Sequence, residues 1–587
     1  MTRRVLSAAA LCAVLAASLT AQQAPPPSQQ TPPPVFRVEV NYVEVDAIVT
    51  DAQGRVVTDL TADDFELIED RTPQTISAFS YVNLPIDQPE RPLFASAPVE
   101  PDVQTNEFGE GRIYMIVVDT LHIAPANAIK VRNAARQFIE RSFGVNDVAA
   151  VVFSGRQAKD TQDFTNNKRL LLEAIDKTIG AKPVSSTVAR MQELQARPGR
   201  EPGGGPIADP YEFERALNAR NSMDRLRVLS EFMANVRGRR KAMLLISEGV
   251  EYQMGDILAS NPASGVLESV RDAIGAATRA NVAIYGIDPR GLTDPGTDLN
   301  GFSFNPAADD PTLGNLGIRS AIEESRVAQD SLRQLSDETG GFAVLNQNDF
   351  ASAFQRIVAD NSSYYVLGYY PTNERRDGRF RNITVRVKRP GLTVRARRGY
   401  LAPRGRAPEA PTAAPGANPL TVAATEALSS PLPIAGIPMR IAVAPFRGEA
   451  PNANLPIALE LGVDALRLAE TDGTFNGRVE VVLTATDNEG KPQGTATQTF
   501  RLSLKPDTMA RARESGIRVL SELALRPGRY QVRAAAASEG GAAGSVIADV
   551  EIPNFTNAPM TMSGVALSSA SMARTVTIPG KTSLDQL

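Results

Sequence analysis

Cysteine and histidine are almost missing from this chain of 587 residues, which holds one of each. The cysteine, Cys12, lies inside the apolar run 5–19 of "MTRRVLSAAALCAVLAASLTA", a stretch with two leading arginines and small residues around Ala21. That is the layout of a secretory signal, with cleavage expected near Ala21. The mature chain then has no cysteine, which excludes a disulfide framework and a thiolate-ligated zinc. A lipid-modified cysteine is not expected either, because Cys12 falls within the apolar run and not after it. The run is short for a helix that must cross about 30 Å of hydrocarbon, so no transmembrane span is expected in the mature protein. The "TRR" start leaves the export route open, and the expected location is the bacterial periplasm or the exterior. Loss of Arg3 and Arg4 with the signal takes the formal charge from −4 to −6, which argues against nucleic acid as the general partner.

Enzyme signatures are scarce as well. No G-x-S-x-G elbow presents a serine, and in "PGKTS" the position of the first glycine of a phosphate loop is held by Thr575. The expectation is a protein that is not an enzyme.

The chain divides by pattern. A Pro/Gln-rich tether (22–35) precedes a region of alternating apolar and polar residues (36–84), read as a small β domain broken by the turn "DAQGR", with Leu60, Phe65 and Leu67 packing beneath it. A Pro-rich, acidic linker covers 85–111. From 112 to 360, short apolar runs ("RIYMIVVD", "DVAAVVFS", "KAMLLISEG", "NVAIYGID") alternate with amphipathic helical stretches, as expected for parallel strands covered on both faces. This predicts a central α/β doubly wound domain, Rossmann-like in layout, with ligands beyond the carboxyl ends of the strands, where Asp119, Ser247 to Gly249 and Asp288 stand. Strand alternation returns over 361–403, with "KRPGLTV" read as a hairpin. An Ala/Pro-rich linker (404–418), a C-terminal β-sandwich (419–553) and a low-complexity tail (554–587) complete the reading. The fold class expected is thus multidomain, a central α/β domain flanked by a small N-terminal β domain and a C-terminal β-sandwich.

The order of strand-ending Asp119, "NDVAAVVFSG", "DFTNNKRLLLEAI", "KAMLLISEGVE", "NVAIYGIDPRGL" and "LRQLSDETGGFAVLNQNDFASAFQRI" resembles a von Willebrand factor type A (VWA) domain. The flanks "VDAIVTDAQGRVVTDLTADDFELIED" and "YYVLGYYPTNERRDGRFRNITVRVKRPGLTVRARRGY" resemble those of exported proteins described as acidobacterial von Willebrand factor A-related. The similarity covers 36–403 and leaves the C-terminal region outside.

The resemblance implies a metal-ion-dependent adhesion site: Asp-x-Ser-x-Ser after the first strand, a Thr in a second loop and an Asp in a third, around a divalent cation (Mg²⁺ or Ca²⁺) whose shell an acidic partner completes. Asp119 fits that pattern, but Leu121 and Ile123 stand where the two serines belong. Glu248 takes the third-loop position, and Thr187 is the candidate for the Thr. Asp119 and Glu248 are therefore the metal ligands to examine, in a degenerate site for which no cofactor is the main expectation.

His122, three residues after Asp119, reads either as a soft-metal ligand or general base, or as a loop histidine bonded to a neighbouring acid. Asp119 itself can bond the amides of the "SEG" loop without any metal. Elsewhere, Arg386, Lys388, Arg395 and Arg397 give the 383–397 hairpin a basic face, read as a dock for an acidic partner or as protection of a sheet edge. The long loop after "NVAIYGI" carries Phe302 and Phe304, and its acids Asp294 and Asp298 miss the calcium-loop spacing. "REPGGGPIADP" reads as an insertion at the rim of the α/β domain.

Together these readings predict an exported VWA-type protein that binds a protein partner, or mediates adhesion, through Asp119, Thr120, His122, Ser247, Glu248 and Asp288 at the strand ends. The alternatives are a metal-independent envelope scaffold and a hydrolase built on Asp119, His122 and Glu248.

Overall fold

The computed structural model describes residues 42–85, 103–107, 111–144, 146–196, 207–234, 236, 240–251, 261–292, 317–405, 418–487, 489–556, 560–565 and 575–578. The stretches read as a signal (1–21) and a tether (22–35), the glycine run 201–206, Asp294, Asp298, Phe302, Phe304 and the "PGKTS" stretch lie outside them. Residues from Tyr42 onward cluster as one unit.

The central sheet has six strands: β1 (Ile113–Val118), β2 (Val148–Phe153), β3 (Gln162–Thr165), β4 (Lys241–Ile246), β5 (Val282–Ile287) and β6 (Ala343–Val344). Their spatial order is β6-β5-β4-β1-β2-β3, all parallel except β3, which runs antiparallel to β2. Every residue of β1, β2, β4 and β5 is buried, which accounts for their near-continuous apolar character; the exception, Lys241 at the start of β4, donates its ammonium to the Met233 and Val236 carbonyls. One face carries α1 (Ala128–Arg141), α2 (Lys168–Asp176) and α7 (Ala351–Ser362), which bury Phe138, Ile175 and Phe354 against Tyr114, Ile116 and Val118. The other carries α4 (Glu212–Met233), α5 (Asn261–Arg279) and α6 (Ile318–Thr339), packed on Ile113, Met115 and Val117. A short α3 (Ser186–Gln195) sits against α6 through Val188, Met191 and Ala321. After β1 the chain builds outward to β2 and β3, then returns to place β4 on the opposite side of β1. The connections leaving β1 and β4 therefore diverge, opening a crevice at the carboxyl ends of these two strands.

The flanking regions pair with one another. Val43–Thr50 bonds to Ser363–Tyr369 and to Thr393–Ala396, while Phe65–Glu69 bonds to Phe380–Val387. Two four-stranded sheets result, enclosing Val45, Phe65, Leu67, Tyr365 and Leu367. The β strands read over 36–84 and 361–403 thus share hydrogen-bond ladders, and Leu60, Phe65 and Leu67 are in their common core. "KRPGLTV" is not a paired hairpin: the turn at Gly391, with φ of +78°, carries the chain from one sheet to the other. The expected basic face is also divided. Arg386 and Lys388 are exposed, but Arg395 turns inward to Asp360, and Arg397 is buried against the carbonyls of Thr278 and Glu44.

Over 419–553 two further sheets share an apolar core that includes Ile441, Leu455, Leu483, Val519 and Val532. A helix, Pro419–Ser429, opens the region; its Pro at the first turn and Asn418 cap accord with a helix start. The linker is not wholly loose, since Val103–Thr105 pairs with Met439–Val443 and the Asn106 amide donates to the Ile434 and Ile437 carbonyls at 2.7 Å. Within the tail, Val576–Ile578 adds a parallel strand beside Ile517–Leu525. Among the described residues, no helix is long and apolar enough to cross a membrane.

Candidate functional site

Asp119 follows β1 directly, and its amide extends the ladder by donating to the Ile246 carbonyl at 3.0 Å. Its carboxylate is buried at the β1/β4 crevice and saturated with donors. Oδ1 accepts from the hydroxyls of Ser154 (2.8 Å) and Ser222 (2.5 Å); Oδ2 accepts from Ser247 Oγ (2.9 Å) and lies 2.9 Å from His122 Nδ1. Ser154 ends β2, Ser247 ends β4, and Ser222 projects from the middle of α4. Burial raises the Asp119 carboxyl, but the adjacent His122 and the bonds from His122, Ser222 and Ser154 outweigh it and bring it down to about 2. The expected bond from Asp119 to the "SEG" amides takes a different form: the Ser247 hydroxyl bonds the carboxylate and accepts from the Gly249 amide at 3.0 Å.

Glu248 turns away from this cluster. Its Oε1 accepts from the Ala124 amide and the Asn127 side chain, both at 2.8 Å, and its Oε2 lies 3.1 Å from Lys182 Nζ. Lys182 also meets Glu251 Oε1 at 2.7 Å. Arg215, held bidentate by Asp209, stands 4.0 Å from the other Glu251 oxygen. Burial opposes the charge on Lys182, but Glu251 and Glu248 overcome it and hold the ammonium above its ordinary range. In turn, Lys182 is the chief influence drawing both buried glutamates below theirs. The segment carrying Lys182 is strapped to the first loop, with Ala181 and Lys182 amides donating to Thr120 and Ile123 carbonyls. Gly180 permits that approach, because a Cβ there would lie 2.4 Å from the Ile123 carbonyl oxygen.

Asp288 ends β5 and is taken by Arg290, whose Nε and Nη2 reach its two oxygens at 2.9 and 2.8 Å; the same Nη2 donates to the Glu248 carbonyl at 3.0 Å. Thr120 is buried, and its hydroxyl bonds the Ser154 carbonyl. The fold thus gathers Asp119, His122 and Ser247 in one cluster, with Thr120 tied to the neighbouring Ser154. Glu248 and Asp288 belong to adjoining ion pairs. Thr187 lies apart, bonded to Ser320 and Glu324 on α6.

The chemistry of these donors does not fit a divalent cation. An ionised carboxylate has about four lone-pair sites, and those of Asp119 face three hydroxyls and a ring nitrogen. Leu121 and Ile123 offer only hydrocarbon, and a lysine ammonium stands between Glu248 and Glu251. Among the described residues, no group of three or more His, Cys, Asp or Glu is arranged to hold a metal. Nor do Ser222, His122 and Asp119 form a proton relay. Ser222 and Asp119 both approach the same ring nitrogen, Nδ1, at 3.2 and 2.9 Å, and the Ser222 hydroxyl is spent on Asp119.

Sequence reasoning missed Ser154, Ser222, Lys182, Glu251 and Arg290. Ser154 was recoverable, since it ends "AAVVFS" as Asp119 ends "MIVVD", and Arg290 lies two residues beyond Asp288. Ser222 in a polar helix and Lys182 in an irregular loop give no such signal.

No family model matches the chain, and no curated protein matches it. Among solved structures, a segment is similar to "The structure of a beta-glucuronidase from glycoside hydrolase family 2", at 12% identity and a TM-score of 0.14, covering 19% of this chain and 11% of that one. The similarity spans about a tenth of that enzyme's length and is too slight to bear on fold or activity.

Proposed function

We propose that this is an exported, non-enzymatic binding protein of the von Willebrand factor A-related kind, which grips a protein partner at the carboxyl ends of the central strands without a metal ion. The observation that carries the reading is a polar cluster that is already satisfied, with exposed apolar side chains on the segments that border the strand ends. α4 and α6 precede β4 and β6, so their first turns stand at the strand carboxyl ends. There Phe213 is 78% exposed, with Leu217, Ile318 and Ile322 also in solvent. Ile179 and Val184, exposed in the segment that carries Lys182, add to these, and the Val184 carbonyl is bonded by Arg215 of α4. Large apolar side chains left in water mark protein contact surfaces more often than catalytic ones. Asp119 is saturated with hydrogen bonds, and Glu248 and Asp288 are ion-paired to Lys182 and Arg290, so these groups act as a rigid floor.

The test is photocrosslinking in envelope extract from the source cells, with a photoreactive residue at Phe213, at Leu217, or at exposed Arg141 on the opposite end of the sheet. The reading predicts one discrete adduct from Phe213 and Leu217, unchanged by EDTA, and none from Arg141. Adducts confined to a probe at Arg386 on the flanking β sheets would favour the scaffold alternative instead.

A further inference from the structure

A cleft of about 920 Å³ lies between the α/β domain and the C-terminal sheets and shares no lining residue with the cluster around Asp119. One wall is α4, with Arg225, Val228, Leu229 and Phe232; the opposite wall is the strand pair Gly528–Ser538 and Ala543–Ile552, which contributes Gln531 and Asp549. The two walls are fixed by ion pairs that bridge them, Arg533 to Asp163 at 2.7 Å and Arg529 to Glu173. The cleft is therefore held open between two braced surfaces. Its volume falls in the range of about 300–1,000 Å³ usual for small-molecule sites, which favour such domain boundaries.

Most charges in the cleft are spoken for. Asp163 is held by Arg533, Arg169 and Arg529 both meet Glu173, and Glu489 pairs with Lys491. Lys159 and Glu551 are exposed at its margins. Two half-buried groups stand out. Asp549 accepts from Gln531 Nε2 at a long 3.4 Å and from the Thr165 hydroxyl, with no cation in ion-pair contact among the described residues; burial, with Asp163 adding to it, pushes its carboxyl up to about 6. Arg225 has no ion-pair or hydrogen-bond partner among the described residues. On the same helix as Arg225, Val228 and Phe232 are exposed along the cleft, with the Phe232 ring stacked at 6.4 Å on that of Phe164. Arg225 and Phe232 are seven residues apart on one helix, so about 10 Å separates the charged and aromatic ends of this wall.

We propose that this cleft binds a zwitterionic small molecule with an apolar body, of the amino-acid or short-peptide type: its ammonium meets Asp549, its carboxylate meets Arg225, and its apolar part lies along Val228 and Phe232. Each element answers a feature of the cleft walls, since unlike charges without an ion-pair partner among the described residues and exposed apolar side chains line one cleft. The site is separate from the strand-end surface, and neither depends on the other.

Calorimetric titration of the full mature chain with trileucine tests this, using the peptide with free termini, its N-acetyl form and its C-terminal amide. The free peptide should bind one to one, and either block should weaken it by about tenfold or more. Asp549→Asn should weaken the free peptide and remove the penalty of acetylation; Arg225→Met should do the same for amidation. Equal affinity of all three peptides for the unmodified protein, or no binding by any of them, overturns the proposal. The blocked peptides make that judgement independent of how the variants fold.

Discussion

The Lys182 ammonium lies 3.1 Å from Glu248 and 2.7 Å from Glu251, a fixed cation bridging two buried carboxylates beside the β1/β4 crevice. A metal ion in this crevice would have to displace a covalently tethered charge that three main-chain features hold in place: the Ala181 and Lys182 amide bonds and the close passage at Gly180. The polar centre is accordingly part of the folded core, and its removal has consequences for stability before any for binding.

Lys182→Met should destabilise the protein by about 3–5 kcal/mol, because it strands two carboxylates that burial already penalises. Adding Glu251→Gln should recover part of that loss, giving a favourable coupling energy in a double-mutant cycle followed by urea unfolding. Additive losses would mean the pair is not coupled as its geometry requires.

Asp119 makes the stability of the domain sensitive to acid. Its carboxyl is lowered from an ordinary 3.8 to about 2, so it contributes stability that is complete above pH 4 and is lost as pH falls towards 2. That contribution is about 2 kcal/mol. Unfolding measured from pH 5 to pH 2 should show a slope that is reduced in Asp119→Asn, and an unchanged slope would count against the arrangement around Oδ1 and Oδ2.

Asp46 joins the flanking β sheets to the α/β domain. It lies 3.5 Å from Arg240 and accepts from the Asn281 amide at 2.9 Å, with both charged partners buried. Asp46→Ala should cost about 3–5 kcal/mol and lower the melting temperature of the whole unit. A loss confined to the flanking sheets, visible as a separate early transition in calorimetry, would show that this junction is not cooperative.

Much of the architecture was legible because its cause is local. The apolar runs at 113–118, 148–153, 242–246 and 282–287 are buried on both faces, and that burial is what removes charged residues from them. The interleaving of 43–83 with 363–401 was not legible, since strand alternation reveals a half-buried strand but not its partner hundreds of residues away. The same limit applied at the site. Asp119 announced itself by ending a strand, while Ser222 and Lys182 enter by tertiary approach from a helix and a loop whose sequences look like any solvated surface. Arg395 and Arg397 misled in the opposite sense: their alternation signals an exposed face, but Asp360 and two main-chain carbonyls draw them inward.

The most direct test is calorimetric titration of the metal-stripped mature protein with Mg²⁺, Mn²⁺ and Ca²⁺, with thermal melts alongside. The account predicts no saturable binding at the strand ends and melting temperatures unmoved by these ions or by EDTA, because Lys182 and the three serine hydroxyls already satisfy Glu248 and Asp119. A single saturable site that raises the melting temperature and disappears in Asp119→Ala would contradict it.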